Sequence, residues 1–364
     1  MQSNHKKRIC IITRSLSEGG ADRVASLQTF MLESLGYKVF IVTVLNSISY
    51  PYKGTLFNLG EIKEKNNTIF GRLNRLLLLR KFLKANEIDF VIDHRVRIKP
   101  FSEYIISAFI YPKNTIYIVH NHAINLYFPP FKWLTKIVYK KSNAIVSVSD
   151  KIEKLIFKKY RFKNITTIYN PVDFNYIDRY KDEPVNLSTP FVFWYGRFED
   201  EQKNLSLLLD AYHKSNLSSR GIKLVLMGNG KDKDKILSKM EKLGITESVI
   251  LLPFSSNPFN HIYNSKFTVL SSRYEGFPMT VLESLACGKP VVSVKYDNYE
   301  DGVLLDRYNG ILVENHNSKA LAEGLDLLVE DEKLYLSCCD KARSSVESFS
   351  MEAIALKWQN LIES

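Results

Sequence analysis

The 364-residue chain reads as an α/β protein built from two doubly wound halves. Three observations lead there. The length exceeds one ordinary core and fits two domains of roughly 170–190 residues. Short β-branched apolar runs alternate with helical patterns, the mark of a parallel sheet covered on both faces. The alternation restarts after a polar stretch, "DRYKDEPVNLSTP" (178–190). The expected division is therefore 1–178, a linker at 179–190, 191–345, and a C-terminal helix at 346–364 packing back on the first domain.

In chain order, "RICIITR" (8–14) reads as a strand, followed by a Gly-Gly turn and a helix from Ala21 to about Leu35. "KVFIVTVL" (38–45) is the next strand and "FGRLNRLLLLRKFLKAN" (70–86) a helix. "FVID" (90–93), "TIYIVH" (115–120) and "AIVSVS" (144–149) are strands with helices between them. The second series runs "FVFWYG" (191–196), "KLVLMG" (223–228), "VILLPF" (249–254), "FTVLS" (267–271), "PVVSV" (290–294) and "GILV" (310–313). Right-handed crossovers should join them, and ligands should collect outside the carboxyl ends of the strands.

Hydrophobic residues make up 45% of the chain and charged residues 24%, a globular composition. The longest apolar runs, "YIISAFIY" (104–111) and "LLLL" (76–79), fall well short of the ~20 residues of a spanning helix. The basic start before "ICIIT" reads as a first strand, not a signal peptide. Cys10, Cys287, Cys338 and Cys339 show no metal-ligand spacing and fit a reducing cytosol. Net charge is +11 and uneven: residues 1–183 hold 30 Lys and Arg against 15 Asp and Glu, the remainder 20 against 24. A basic half implies a polyanionic partner, such as an anionic membrane. No nucleic-acid module is readable. Three stretches of that half mix lysine with apolar residues, as interfacial helices do, or as helices do whose apolar face is core and whose lysines are solvated: residues 70–86, "FKWLTKIVYKK" (131–141) and "KIEKLIFKKYRFK" (151–163).

Three strand-to-helix loops suit a phosphorylated ligand. "SEGGADR" (17–23) places Gly19 and Gly20 before a helix, where backbone can approach a ligand. "YGRFEDEQKNLSLLLDA" (195–211) puts Arg197 after a strand and Lys203 near a helix entrance. Those two cations could neutralise a diphosphate, or form surface salt bridges to Glu199 or Asp200. "SSRYEGFPMTVLESLACGKPVVS" (271–293) carries Glu275 ahead of Gly276, Phe277 and Pro278, and Glu283 in the helix that follows. Pro278 suits a first helical position, leaving N–H groups near Met279 and Thr280 for an anion. Glu283 then lies ~9 Å along the axis, a separation like that between the two polyol ends of a nucleoside diphosphate sugar. A carboxylate accepts two hydrogen bonds from neighbouring hydroxyls.

"GGADR", "HNH" (120–122), "YNPVD" (169–173), "GRFEDEQKN", "MGNGKDKDKI", "SSNPFNHIYNS", the 271–293 stretch and "NGILV" occur in this order. Together they resemble retaining glycosyltransferase family 4, of the bacterial cell-surface polysaccharide and lipopolysaccharide type. The resemblance implies the GT-B fold, with two Rossmann-like domains facing across a cleft. It further implies that Arg197 and Lys203 hold the donor diphosphate. Glu275 and the backbone of Gly276, Phe277, Pro278, Met279 and Thr280 would meet the donor sugar and phosphate, and Glu283 the ribose. Gly19 and Gly20 would line the cleft from the acceptor domain as part of the donor-binding set, with His120 (or else His122) beside the reacting sugar. Gly196 and Gly228 end strands on the donor side and belong with the donor-binding set.

"DKD" (232–234) has the Asp-x-Asp form of a metal–diphosphate signature, but it opens a lysine-rich helix and is expected to favour that helix start electrostatically. Neither metal nor cofactor is expected. Glu275 beside Gly-Phe-Pro does not read as a glycosidase nucleophile. The expectation is a metal-independent, retaining glycosyltransferase, cytoplasmic and peripheral on the inner face of the membrane. It would use a UDP- or GDP-linked donor and a lipid-linked or lipopolysaccharide or capsule glycan acceptor. A sugar-nucleotide epimerase, or a catalytically silent sugar-nucleotide or membrane-binding protein, remain as alternatives.

Overall fold

The computed structural model describes all residues except 1–5, 18, 140, 141, 298, 300 and 301. Glu18 of the Gly-Gly loop, Lys140 and Lys141 of the second basic stretch, and part of the 295–310 loop therefore lie outside the described residues. The chain forms two compact units, one of Met1–Pro171 with Met351–Ser364, the other of Val172–Ser350.

The first unit holds a seven-stranded, wholly parallel sheet: β1 (Arg8–Thr13), β2 (Lys38–Thr43), β3 (Thr55–Asn58), β4 (Phe90–Asp93), β5 (Thr115–Val119), β6 (Ala144–Ser147) and β7 (Ile165–Thr167). Their order is β3-β2-β1-β4-β5-β6-β7. The order reverses direction at β1, and β1 and its neighbours carry the buried Ile, Val and Phe of the core. The two edge strands are not apparent in the sequence. β3 ("TLFN") and β7 ("ITT") are short and half-exposed, so neither shows a continuous apolar run. The C-terminal helix Met351–Glu363 packs on Gly20–Ser34 in this unit. Its end is held by Glu363, which accepts from Lys7 Nζ at 2.8 Å and Tyr37 Oη at 2.7 Å.

The second unit holds a six-stranded parallel sheet: β8 (Phe191–Arg197), β9 (Lys223–Asn229), β10 (Val249–Leu252), β11 (Thr268–Leu270), β12 (Val291–Val294) and β13 (Gly310–Val313). Its order is β10-β9-β8-β11-β12-β13, again reversing beside the first strand. The reversal brings the loops after β8 and β11 side by side, which is where a parallel sheet opens a crevice. Among the described residues no helix is long and apolar enough to cross a membrane.

Candidate active site

In the second unit the site begins at the carboxyl ends of β8 and β9. Gly196 and Gly228 are register partners there. A Cβ on Gly228 would stand 1.9 Å from the Gly196 carbonyl oxygen, and the backbone has φ +153°, so only glycine fits. Arg197 is the last residue of β8. It is more than a third exposed, and it pairs with Glu199 at 3.2 Å, the salt bridge left open as an alternative above.

The chain then turns through the short helix Asp200–Lys203 into Leu205–Lys214, with Asn204 left-handed between them (φ 50°). Asp200 locks this corner. Its buried carboxylate accepts from Ser206 N, Ser206 Oγ and Lys235 Nζ at 2.6–2.7 Å. Burial pushes that carboxyl upward, but the hydrogen bonds from Lys235 and Ser206 outweigh it and hold it below the usual range. Asp232, expected to serve its own helix, instead accepts the Asp200 N–H at 2.7 Å. Half of the Asp-x-Asp pair is thus a clasp on the neighbouring loop.

Lys203 ends the short helix and reaches across to the β11 loop, where Nζ meets Glu275 Oε1 at 2.7 Å. Both side chains are largely buried, and Ser271 Oγ donates to the Lys203 carbonyl at 2.8 Å, which fixes the lysine's backbone against β11. The Gly-Phe-Pro turn follows. Pro278 is not the first helical residue, as expected above, but the cap before it: its ψ of 108° is extended, and the helix is Met279–Ala286. Glu283 is therefore its fifth residue, about 6 Å along the axis from Met279 rather than ~9 Å. The first N–H groups of this helix lack intrahelical acceptors, as at any helix start. Ser284 ties the helix to β11 by accepting from Thr268 Oγ1 at 2.8 Å. Glu283 is buried and accepts from Tyr195 Oη of β8 at 2.7 Å. The structure thus brings Arg197, Lys203, Glu275, Glu283 and the start of Met279–Ala286 around the ends of β8 and β11.

In the first unit, Gly19 caps helix Gly20–Ser34 with an extended backbone and no side-chain cap. A Cβ there would make only ordinary contact with Asp22, so sterics do not demand glycine. Asp22, one turn on, accepts from Ser15 Oγ at 2.6 Å and Thr13 Oγ1 at 3.1 Å. Burial raises its carboxyl above the usual range. His120 follows β5 directly and joins a chain absent from the sequence reading. His120 Nε2 lies 3.0 Å from His94 Nδ1, and His94 Nε2 lies 2.7 Å from Gln28 Oε1. The two rings stack with centroids 5.0 Å apart. Burial, then the nearby Arg97 charge, lowers His94 to about 3; burial, His94 and Arg97 lower His120 well below its ordinary value. Both rings are therefore neutral. With Gln28 Oε1 as acceptor, His94 donates from Nε2 and accepts at Nδ1, so His120 donates from Nε2 and keeps Nδ1 as an acceptor. His94 follows β4 as His120 follows the neighbouring β5, and that parallel was the available signal. His122 is half-buried, with its carbonyl accepting from Ile124 N at 2.7 Å.

The model described as "Glycosyltransferase Family 4" matches residues 18–176, and "Glycosyl transferases group 1" matches 178–345. A Campylobacter jejuni protein is 28% identical over 96% of this chain and 97% of its own length. It is named N-acetylgalactosamine-N,N'-diacetylbacillosaminyl-diphospho-undecaprenol 4-alpha-N-acetylgalactosaminyltransferase. Among solved structures, Staphylococcus aureus TarM, a mutant crystallised with fondaparinux, alpha-GlcNAc-glycerol and UDP, superposes with a TM-score of 0.77 at 16% identity. The match covers 98% of this chain and 100% of TarM. Anabaena HepE in complex with UDP-glucose does so with a TM-score of 0.77 at 16% identity, over 98% and 99%. The fold is GT-B, and the chain is a glycosyltransferase by family, with a family 4 domain at 18–176 and a group 1 domain at 178–345.

Proposed function

We propose that this protein moves a hexosyl or N-acetylhexosaminyl group from a nucleotide diphosphate sugar to a lipid-linked or cell-surface glycan, with retention of configuration and no metal ion. The observation that carries this reading is the meeting of Lys203 with Glu275, beside Arg197 and the start of Met279–Ala286. Two cations and free helix N–H groups at one strand end suit a diphosphate leaving group. In the transfer, the bond from the anomeric carbon to the diphosphate oxygen breaks and one to the acceptor oxygen forms. The acceptor proton passes to the departing phosphate. Arg197 and Lys203 carry the growing negative charge, and Glu275 faces the sugar as positive charge develops. Glu283, held by Tyr195, accepts from the ribose hydroxyls. Gly19 and Gly20 are assigned to donor binding, and His120 to the side of the reacting sugar.

A UDP-linked donor is favoured over GDP by the UDP and UDP-glucose bound in the TarM and HepE structures, and a polyprenyl-diphosphate acceptor by the name of the C. jejuni relative. Placement on the inner membrane face follows from such an acceptor. The test is a panel of UDP- and GDP-sugars. A matching donor should raise the melting temperature, and sugar should pass to a polyprenyl-diphosphate glycan with excess EDTA present. No stabilisation by any nucleotide sugar, or transfer abolished by EDTA and restored by magnesium or manganese, would overturn the reading.

A further inference from the structure

The exposed apolar side chains of the first unit are unevenly placed. On helix Ile69–Ala85, at about 100° per residue, Phe70, Leu73 and Leu77 form one stripe. Phe70 is 82% exposed and Leu77 62%, whereas Leu79 and Leu83 on the opposite side are buried. Further along the outward side stand Arg80, Lys81 and Lys84, all exposed. In a helix lying in water this stripe would be polar.

The loop after β4 is reversed in the same sense. Arg95 and Arg97 point inward, with Arg95 Nη2 2.8 Å from Asp93 Oδ2 and Arg97 Nε donating to Tyr139 Oη at 2.8 Å. Val96 and Ile98, which alternate with them, are exposed. Phe101, 78% exposed, follows on Pro100–Ile105, and Phe109 is exposed on the π-turn Ile106–Ile110. On Lys132–Tyr139, Trp133 is 62% exposed and stacks on Phe131, with Lys132 and Lys136 exposed beside them. These elements are continuous: Ile69–Ala85 packs on the π-turn, and the π-turn and Pro100–Ile105 both pack on Lys132–Tyr139.

We propose that this face docks on an anionic lipid bilayer, its aromatic and aliphatic side chains entering the headgroup layer while the lysines and arginines meet lipid phosphates. Charge selects the occupant. Ile69–Ala85 and Lys132–Tyr139 contain no Asp or Glu, and residues 94–110 contain only Glu103, buried against Arg95 at 3.1 Å. Such a face repels a second copy of itself and attracts an anionic surface. Apolar groups ringed by Lys and Arg, with a tryptophan among them, match the interfacial region of a membrane. The proposal deepens the reading of a membrane-borne acceptor and draws its biological sense from it, but its test involves no sugar transfer, so either can fail alone.

The test uses the full chain with phosphatidylcholine vesicles, with and without phosphatidylglycerol. Cosedimentation should require phosphatidylglycerol and fade as salt rises. Trp133 reports directly, because Trp194 and Trp358 are buried: emission should shift to the blue on anionic vesicles only. A Phe70→Ser, Leu77→Ser, Trp133→Ser variant should bind at least about ten-fold more weakly, by the area it withdraws from lipid, while keeping its donor-induced rise in melting temperature. Should that variant misfold, Lys132→Glu with Lys136→Glu changes only exposed side chains and should also weaken binding. Undiminished binding by both variants would overturn the proposal, as would equal binding to neutral vesicles. So would sedimentation equilibrium showing a dimer that the apolar variant abolishes.

Discussion

At the scale of single residues, Glu275 in the loop after β11 and Glu283 in the helix that follows share a type but differ in partner, and their substitutions should differ accordingly. Glu283 accepts from a neutral tyrosine and, in our reading, from ribose in ground and transition states alike. Glu283→Gln should chiefly raise the donor KM, by roughly ten- to hundred-fold, the worth of one charge-assisted hydrogen bond. Glu275 faces the sugar where charge develops, so Glu275→Gln should depress kcat with less change in donor affinity. Both carboxylates are buried and bonded, however, so some loss of stability is expected. Glu275→Gln leaves Lys203 without its anion and should cost about 1–3 kcal/mol in urea unfolding, partly recovered with donor bound. A fully active Glu275→Ala would sink this assignment. The His120–His94–Gln28 chain makes a separate prediction. Gln28→Leu removes the acceptor that selects the His94 tautomer. Nitrogen-15 spectra should then show mixed tautomers at His94 and His120 in place of Nε2–H at both. The activity should fall about five-fold in kcat, on the scale of one neutral hydrogen bond.

At the scale of elements, the donor loops are set by hydrogen bonds more than by apolar packing. The Asp200 carboxylate accepts from Ser206 at the far end of its corner and from Lys235 of the neighbouring helix, while its own N–H donates to Asp232, so it determines where Arg197 and Lys203 stand. Asp200→Asn should weaken donor binding without touching donor. It should also lower stability by about 1–3 kcal/mol, because a buried network loses its charged acceptor. Donor titration and urea unfolding of the same variant would show both effects, and a change in neither would mean the corner is held elsewhere. The sequence was legible where elements are long or buried. The central strands announced themselves as continuous apolar runs, and the glycine and proline of residues 275–283 marked the turn between β11 and Met279–Ala286. β3 and β7 escaped because short, half-exposed edge strands lack that run. The Asp232 clasp and the Tyr195–Glu283 bond escaped because they join residues 32 and 88 positions apart. The one-residue error at Pro278 has a local cause: proline's fixed φ suits both the cap and the first turn, and only ψ separates them.

At the scale of the whole molecule, charge is divided between the halves, and the basic half also buries its titratable groups most deeply. Asp93, His94, Arg95, Arg97 and His120 crowd around the ends of β4 and β5. The two histidines decide how this part responds to acid. An unfolded histidine titrates near 6.5, whereas His94 is lowered to about 3 and His120 lies well below its ordinary value. Below about pH 6.5 the unfolded chain therefore binds more protons than the native one, and native stability must fall as pH falls. Each pH unit in that window costs up to about 1.4 kcal/mol per histidine. Two buried carboxyls work the other way: Asp22 and Glu103 are raised by burial, so they gain stability on acidification as pH falls through their folded values. The unfolded carboxylate range near 4 sets the lower end of their window, so they offset part of the histidine loss as pH falls toward it. Urea unfolding of the native protein at pH 7 and pH 5 should show a loss over that interval. His94→Asn should unfold more easily at pH 7, where it gives up the bonds to Gln28 and His120, yet lose less between the two pH values than the native protein. Equal pH slopes for native and variant would show that His94 accepts its proton as readily folded as unfolded, and that the neutral pair described here does not exist in solution.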